Sequence, residues 1–193
     1  MIIKYLLSDG FNITAYSKGE VIYRPGANPR AVYFIKSGRV RMVTVNDEGK
    51  EFIQGIFKSS EYFGEPALLL NKPYLAFTIA DQDSEIIAVP KAAFLQLLKD
   101  KPEFNMQLIQ DMSNRLFYKS MMLEEMANEQ AEHRIVTLVT YLMQDLEQGA
   151  ELKFTRQQLA DISGLRVETV IRTMKKLSGR YCFELSNGKV VKI

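Results

Sequence analysis

The chain of 193 residues is 47% hydrophobic and 25% charged, a balance that suits one or two globular domains and excludes fibrous and disordered classes. Its net charge of +2 is unevenly placed: residues 151–193 hold nine Lys and Arg against four Asp and Glu, leaving 16 against 19 for residues 1–150. The single cysteine, Cys182, excludes an internal disulfide and the several thiolates of an iron–sulfur cluster or structural zinc site.

The first seven residues are too few for a secretory apolar segment, and no later apolar run approaches the length of a membrane span, so a cytoplasmic protein is expected. From Ile13 to Val89 short alternating segments are broken by turn residues, the pattern of an all-β sandwich or barrel. Candidate strands are Val21 to Tyr23, Ala31 to Ile35, Arg39 to Val45, Glu51 to Phe57, Ala76 to Ile79 and Glu85 to Val89. Lys18-Gly19, Pro25-Gly26, Ser37-Gly38 and the Asn46 to Gly49 hairpin loop punctuate them. A jelly roll fits this count.

Tyr62 to Leu70 breaks the pattern: a Gly64-Glu65 turn opens a short helix whose first turn tolerates Pro66. Helices are then expected over Lys91 to Leu98 and, after Pro102, over Glu103 to Gln130. In the longer one Leu116, Ser120, Leu123 and Ala127 recur at spacings of four and three, a seam for a second copy of the chain or for the protein's own barrel. A further helix over Ala131 to Gln148 carries Ile135, Leu138, Val139, Leu142 and Leu146 as an apolar stripe.

Thr155 to Leu177 holds two short helices and a tight turn. Thr155 and Gln158 form a capping box, Leu159, Ala160 and Ile162 give the first helix its apolar side, and Gly164 accepts the left-handed conformation that ends it. The second helix, Arg166 to Leu177, buries Val170, Met174 and Leu177 at i, i+4 and i+7. Arg166, Glu168, Arg172 and Lys175 face outward, where a helix laid in the major groove meets base edges. Arginine grips guanine O6 and N7 with two donors, and a carboxylate accepts from cytosine N4. The alternative is an ordinary amphipathic pair with a solvated charged face. Phe183 to Leu185 and Val190 to Ile193 flank Ser186-Asn187-Gly188-Lys189, a two-residue hairpin signal that makes a wing.

A β-roll, a long helix and a winged helix-turn-helix in this order resemble the catabolite-activator (CRP/FNR) family of transcription regulators over nearly the whole chain. The resemblance is carried by Gly64-Glu65, by Gly19 and Gly38, and by Gly164 to Arg172. It implies an α+β chain with an N-terminal cyclic-nucleotide-binding-like β-roll (residues 1–98), a dimerisation helix (99–130) and a winged helix-turn-helix (131–193). Glu168 and Arg172 then read bases, with Thr155, Arg156, Gln157, Arg166, Val167, Thr169, Lys175 and Lys189 completing the DNA-facing set. The expected partners are double-stranded operator DNA, a second copy of the chain through Leu116, Ser120, Leu123 and Ala127, and RNA polymerase, with no membrane.

The resemblance also fixes where the sensor departs. The family's Arg-Ser, whose arginine pairs with the cyclic phosphate, is replaced by Tyr74-Leu75, removing a charge-assisted partner worth roughly 1.5–3 kcal/mol or more. Gly64, Glu65, Pro66, Tyr74, Leu75, Lys119 and Ser120 make up the implied pocket, which is expected to take a neutral group or to be filled by Tyr74 and Leu75. In the alternative, Lys72 or Lys119 supplies the missing charge and cyclic nucleotide remains the effector. No cofactor is assigned and the effector is left open. His133 is expected to be solvated or capping, and a cupin enzyme would need inward histidines that the barrel lacks. A module that binds only another protein would not need Thr155 to Leu177.

Overall fold

Eight strands between Ile13 and Pro90 build two four-stranded antiparallel sheets in the computed structural model, which describes residues 2–127 and 130–193. The strands are β1 (Ile13–Tyr16), β2 (Val21–Tyr23), β3 (Ala31–Ser37), β4 (Arg39–Val45), β5 (Glu51–Lys58), β6 (Tyr62–Phe63), β7 (Phe77–Ala80) and β8 (Ser84–Pro90). The sheets run β1-β8-β3-β6 and β2-β7-β4-β5, so the first strand pairs with the eighth, the second with the seventh, the third with the sixth and the fourth with the fifth. That winding is a jelly roll, as the strand count implied. The chain divides after Leu108 into Met1–Leu108 and Ile109–Ile193.

The interior of the first unit is aromatic. Tyr23, Ile35, Val40, Phe57, Phe63, Tyr74 and Ile86 form one buried cluster drawn from both sheets. Phe34, Phe94, Phe104 and Tyr62 form a second, with ring centroids 5.5–6.4 Å apart. Burying a ring of this size contributes about 1.5–3 kcal/mol, enough to hold α3 (Lys91–Asp100) and the first turn of α4 (Pro102–Ala127) on the β3 side. Between β3 and β4 the backbone turns at Gly38 with φ 98°, and a Cβ there would lie 2.2 Å from Ser84 Oγ. No larger residue fits without moving β8.

Several elements differ from the sequence reading. Ile2–Ser8 is a helix, α1, with Leu6 buried, and Tyr62–Phe63 is a strand paired with Tyr33 and Phe34. α4 ends at Ala127, short of the expected Gln130, which has extended backbone and stands at the N-cap of α5 (Ala131–Met143); residues 128 and 129 lie outside the described residues. α5 in turn stops five residues before Gln148. Its final carbonyls are taken by the Lys192 ammonium, which donates to Met143 O (2.8 Å) and to Leu146 O just beyond (2.6 Å).

In the second unit α5 packs with α6 (Arg156–Ser163) and α7 (Val167–Leu177), followed by β9 (Phe183–Ser186) and β10 (Lys189–Lys192). The hairpin register pairs Lys189 with Ser186, leaving Asn187 and Gly188 at φ 50° and 78°, the two positive angles of a type I′ turn. Among the described residues no helix is long and apolar enough to cross a membrane.

Candidate nucleic-acid interface and sensor pocket

α6 starts as its residues dictate. The Thr155 hydroxyl accepts from the Gln158 amide at 3.0 Å, the Gln158 side chain accepts from the Thr155 amide at 3.0 Å, and Gly164 closes the helix at φ 71°. Leu159, Ala160 and Ile162 of α6 and Val170, Met174 and Leu177 of α7 are buried. Arg166 is the N-cap of α7, one residue outside the helix that the sequence began with it.

The burial of one side of α7 puts Glu168, Arg172 and Lys175 on the other, exposed at i, i+4 and i+7. Arg166 beside them is exposed, and Val167 and Thr169 are half-buried. None of the four charged residues forms an ion pair among the described residues, whereas Lys176 pairs with Glu132 of α5. Other positions expected to face DNA are engaged within the fold: Arg156 donates to Gly188 O across to the wing turn (3.3 Å), and Lys189 pairs with Glu151 (2.8 Å). Gln157 donates to Asp161 one turn on (2.8 Å).

Sequence reasoning missed Arg134. Its guanidinium donates to Ser163 O at the end of α6 (3.3 Å) and to Glu125 O and Met126 O in the last turn of α4 (3.2 and 3.4 Å), while Thr137 donates to the Glu125 carboxylate (2.9 Å). One cation thus closes the carbonyl ends of two helices. The available signal was its position, because a positive side chain in the first turn of a helix opposes the helix dipole. Tyr118 of α4 and Tyr141 of α5 stack on each other, with centroids 3.7 Å apart. The neighbouring His133 is exposed.

Along α4 the seam residues Leu116 and Leu123 are each 67% exposed, and Ser120 and Ala127 between and beyond them are also exposed. The Ser120 hydroxyl donates to Leu116 O at 3.0 Å, which keeps it against its own helix. Lys119 is exposed too, and desolvation with help from nearby Arg115 lowers its pKa.

In the β-roll, Gly64 has φ 90°, and a Cβ there would lie 3.2 Å from the Tyr33 ring. It opens α2 (Glu65–Leu70), with Glu65 buried at 1% exposure and Pro66 without an amide to offer. Tyr74 is 5% exposed and lies against Tyr23, with centroids 3.6 Å apart and planes 8° from parallel; its hydroxyl donates to Ala31 O at 3.4 Å. Burial raises both phenol pKa values well above the ordinary tyrosine range. Leu75 does not join the filling expected of it: it points to solvent at 84% exposure. Lys72 is exposed.

Residues 13–101 match the cyclic nucleotide-binding domain and residues 133–193 the Crp-like helix-turn-helix domain. The chain belongs to the CRP/FNR family. Among CRP/FNR relatives, a global nitrogen regulator from Nostoc sp. is 24% identical over 92% of this chain and 83% of its own. A cyclic AMP receptor protein from Thermus thermophilus is 28% identical over 93% and 83%. In fold the chain resembles a CooA mutant from Carboxydothermus hydrogenoformans, with TM-score 0.80 and 21% identity over 97% of this chain and 85% of that one. It also resembles the c-di-GMP-responsive regulator CLP of Xanthomonas campestris, with TM-score 0.75 and 23% identity over 99% and 97%. As a CRP/FNR-type transcription regulator it carries a DNA-binding helix-turn-helix.

Proposed function

We propose that the protein is a homodimer that reads an inverted-repeat operator with α7 and does not respond to cyclic AMP. The exposed stripe Glu168, Arg172, Lys175 on a helix whose opposite face is buried supports base reading. Arg166 and the first turn of α7, with Val167 and Thr169, lie at the end that meets the groove. Thr155, Arg156, Gln157 and Lys189 are proposed as contacts to the DNA backbone, Gln157 and Lys189 after release from Asp161 and Glu151. Double-stranded operator DNA, a second copy through Leu116, Ser120, Leu123 and Ala127, and RNA polymerase are the proposed partners.

The sensor half of the proposal rests on Tyr74. A cyclic phosphate buried on the Glu65 side of the Tyr23–Tyr74 stack would meet a carboxylate and phenol rings, and burying an unpaired charge costs several kcal/mol. The test has two arms. Selection from random duplexes should return a site with two-fold symmetry, and calorimetry should show no cyclic AMP binding at millimolar nucleotide. An asymmetric preferred site would refute the dimer reading; micromolar binding abolished by Lys72→Ala or Lys119→Ala would refute the sensor reading.

A further inference from the structure

An open cavity of about 380 Å³ lies on the β-roll between β2, the loop that follows it, and Tyr74. Tyr23, Tyr33 and Tyr74 are among the residues that line it, and Arg24, Arg30 and Asn28 are its charged and polar lining residues. We propose that this cavity binds a small planar aromatic carboxylate, with Arg24 and Arg30 holding the anion and the tyrosine rings holding the ring. The proposal rests on reading the β-roll as a sensor and names the effector class for it.

The charge of the cavity sets the sign of the ligand. No Asp or Glu lines it, and neither arginine forms an ion pair among the described residues. Arg24 lies 5.9 Å from the centroid of Phe77, a cation–π distance that limits where its guanidinium points. Arg30 is near enough to the Tyr33 phenol that its charge offsets part of the rise burial causes there. Arginine suits a carboxylate because its planar fork donates two parallel hydrogen bonds.

The walls set the body of the ligand. Tyr23 stacks on Tyr74 and stands 5.6 Å from Tyr33 at a 44° tilt; with Tyr23 and Tyr74 buried against each other, the half-buried Tyr33 offers a planar guest the most aromatic surface. The volume falls in the range of small-molecule sites, which are mostly apolar with a few polar groups fixing orientation. Occupancy also has a route to the interior. Gly26 donates to Tyr74 O at 2.8 Å and Tyr74 donates to Ala27 O at 3.0 Å, tying the arginine-bearing loop to the residue that fills the roll.

Calorimetric titration of the full-length protein with benzoate, acetate and benzyl alcohol tests the proposal without DNA, so its result is independent of the operator selection. Benzoate should bind, and acetate and benzyl alcohol, which lack the ring and the charge respectively, should each bind at least about tenfold more weakly. Arg24→Gln with Arg30→Gln should weaken benzoate by about tenfold or more at an unchanged melting temperature. Ala27→Trp, which blocks the mouth and leaves the arginines in place, should do the same. Equal binding of acetate or benzyl alcohol, unchanged benzoate affinity in either variant, or no benzoate binding up to about 10 mM would overturn it.

Discussion

Tyr74 lies flat on Tyr23, and the pair joins the loop after β2 to the segment before β7 in the middle of the roll. The ring stands at the position where the family resemblance leads one to expect the phosphate arginine. Truncating Tyr74→Ala should destabilise the protein by about 3 kcal/mol, as expected for a buried aromatic ring, with no gain in cyclic AMP binding. The double substitution Tyr74→Arg, Leu75→Ser should instead create measurable cyclic AMP affinity in calorimetry. If it does not, the missing arginine is not what separates this chain from its cyclic-nucleotide-binding relatives.

The same stack predicts an alkaline limit. Burial raises the Tyr23 and Tyr74 phenols above their ordinary pKa, so the folded state keeps protons that the unfolded chain releases above about pH 10. By linkage, the stability they contribute is complete below that pH and is lost as pH rises beyond it. Urea unfolding followed from pH 8 upward should show a level midpoint and then a fall above about pH 10, smaller in Tyr23→Phe. A midpoint that stayed level would contradict the burial of these hydroxyls.

Arg134 should matter more to the second unit than an ordinary surface arginine. Its substitution by Met keeps much of the stem but removes the donors to Ser163, Glu125 and Met126, at a cost of about 1.5–3 kcal/mol for hydrogen bonds from a charged group. Hydrogen exchange should quicken at the end of α4 and in α6. Unchanged exchange in both places would make the contacts incidental.

The seam on α4 predicts the assembly. Leu123→Asp puts a charge among the exposed Leu116, Ser120 and Ala127 positions and should convert a dimer to monomers in sedimentation velocity. A dimer that survives it would place the interface elsewhere.

How much of this was legible follows from how local each signal is. β2 and β4 match the expected segments residue for residue because alternation and turn residues lie within a few positions of each other. The capping box, Gly164 and the Asn187-Gly188 turn were legible for the same reason. α1 was not, since seven residues carry too little periodicity, and the two-residue β6 is buried at both positions and shows no alternation. The end of α5 depends on Lys192, almost fifty residues downstream. In the pocket, Tyr74 was singled out from the resemblance alone, and its stack on Tyr23 needed the β2–β7 pairing to bring positions 23 and 74 together. Leu75, adjacent and apolar, was expected to share the filling, yet chain direction turns it outward.

α7 is proposed to read DNA sequence through Glu168 and Arg172. Fluorescence anisotropy on a selected operator and on a random duplex, with the wild-type chain and with Glu168→Ala and Arg172→Ala, tests it most directly. Each substitution should cost about 1–3 kcal/mol on the operator and little on random DNA, while Arg156→Ala and Lys189→Ala should weaken both duplexes alike and lower the salt slope by about one. Equal losses on operator and random DNA for Glu168→Ala and Arg172→Ala would contradict it.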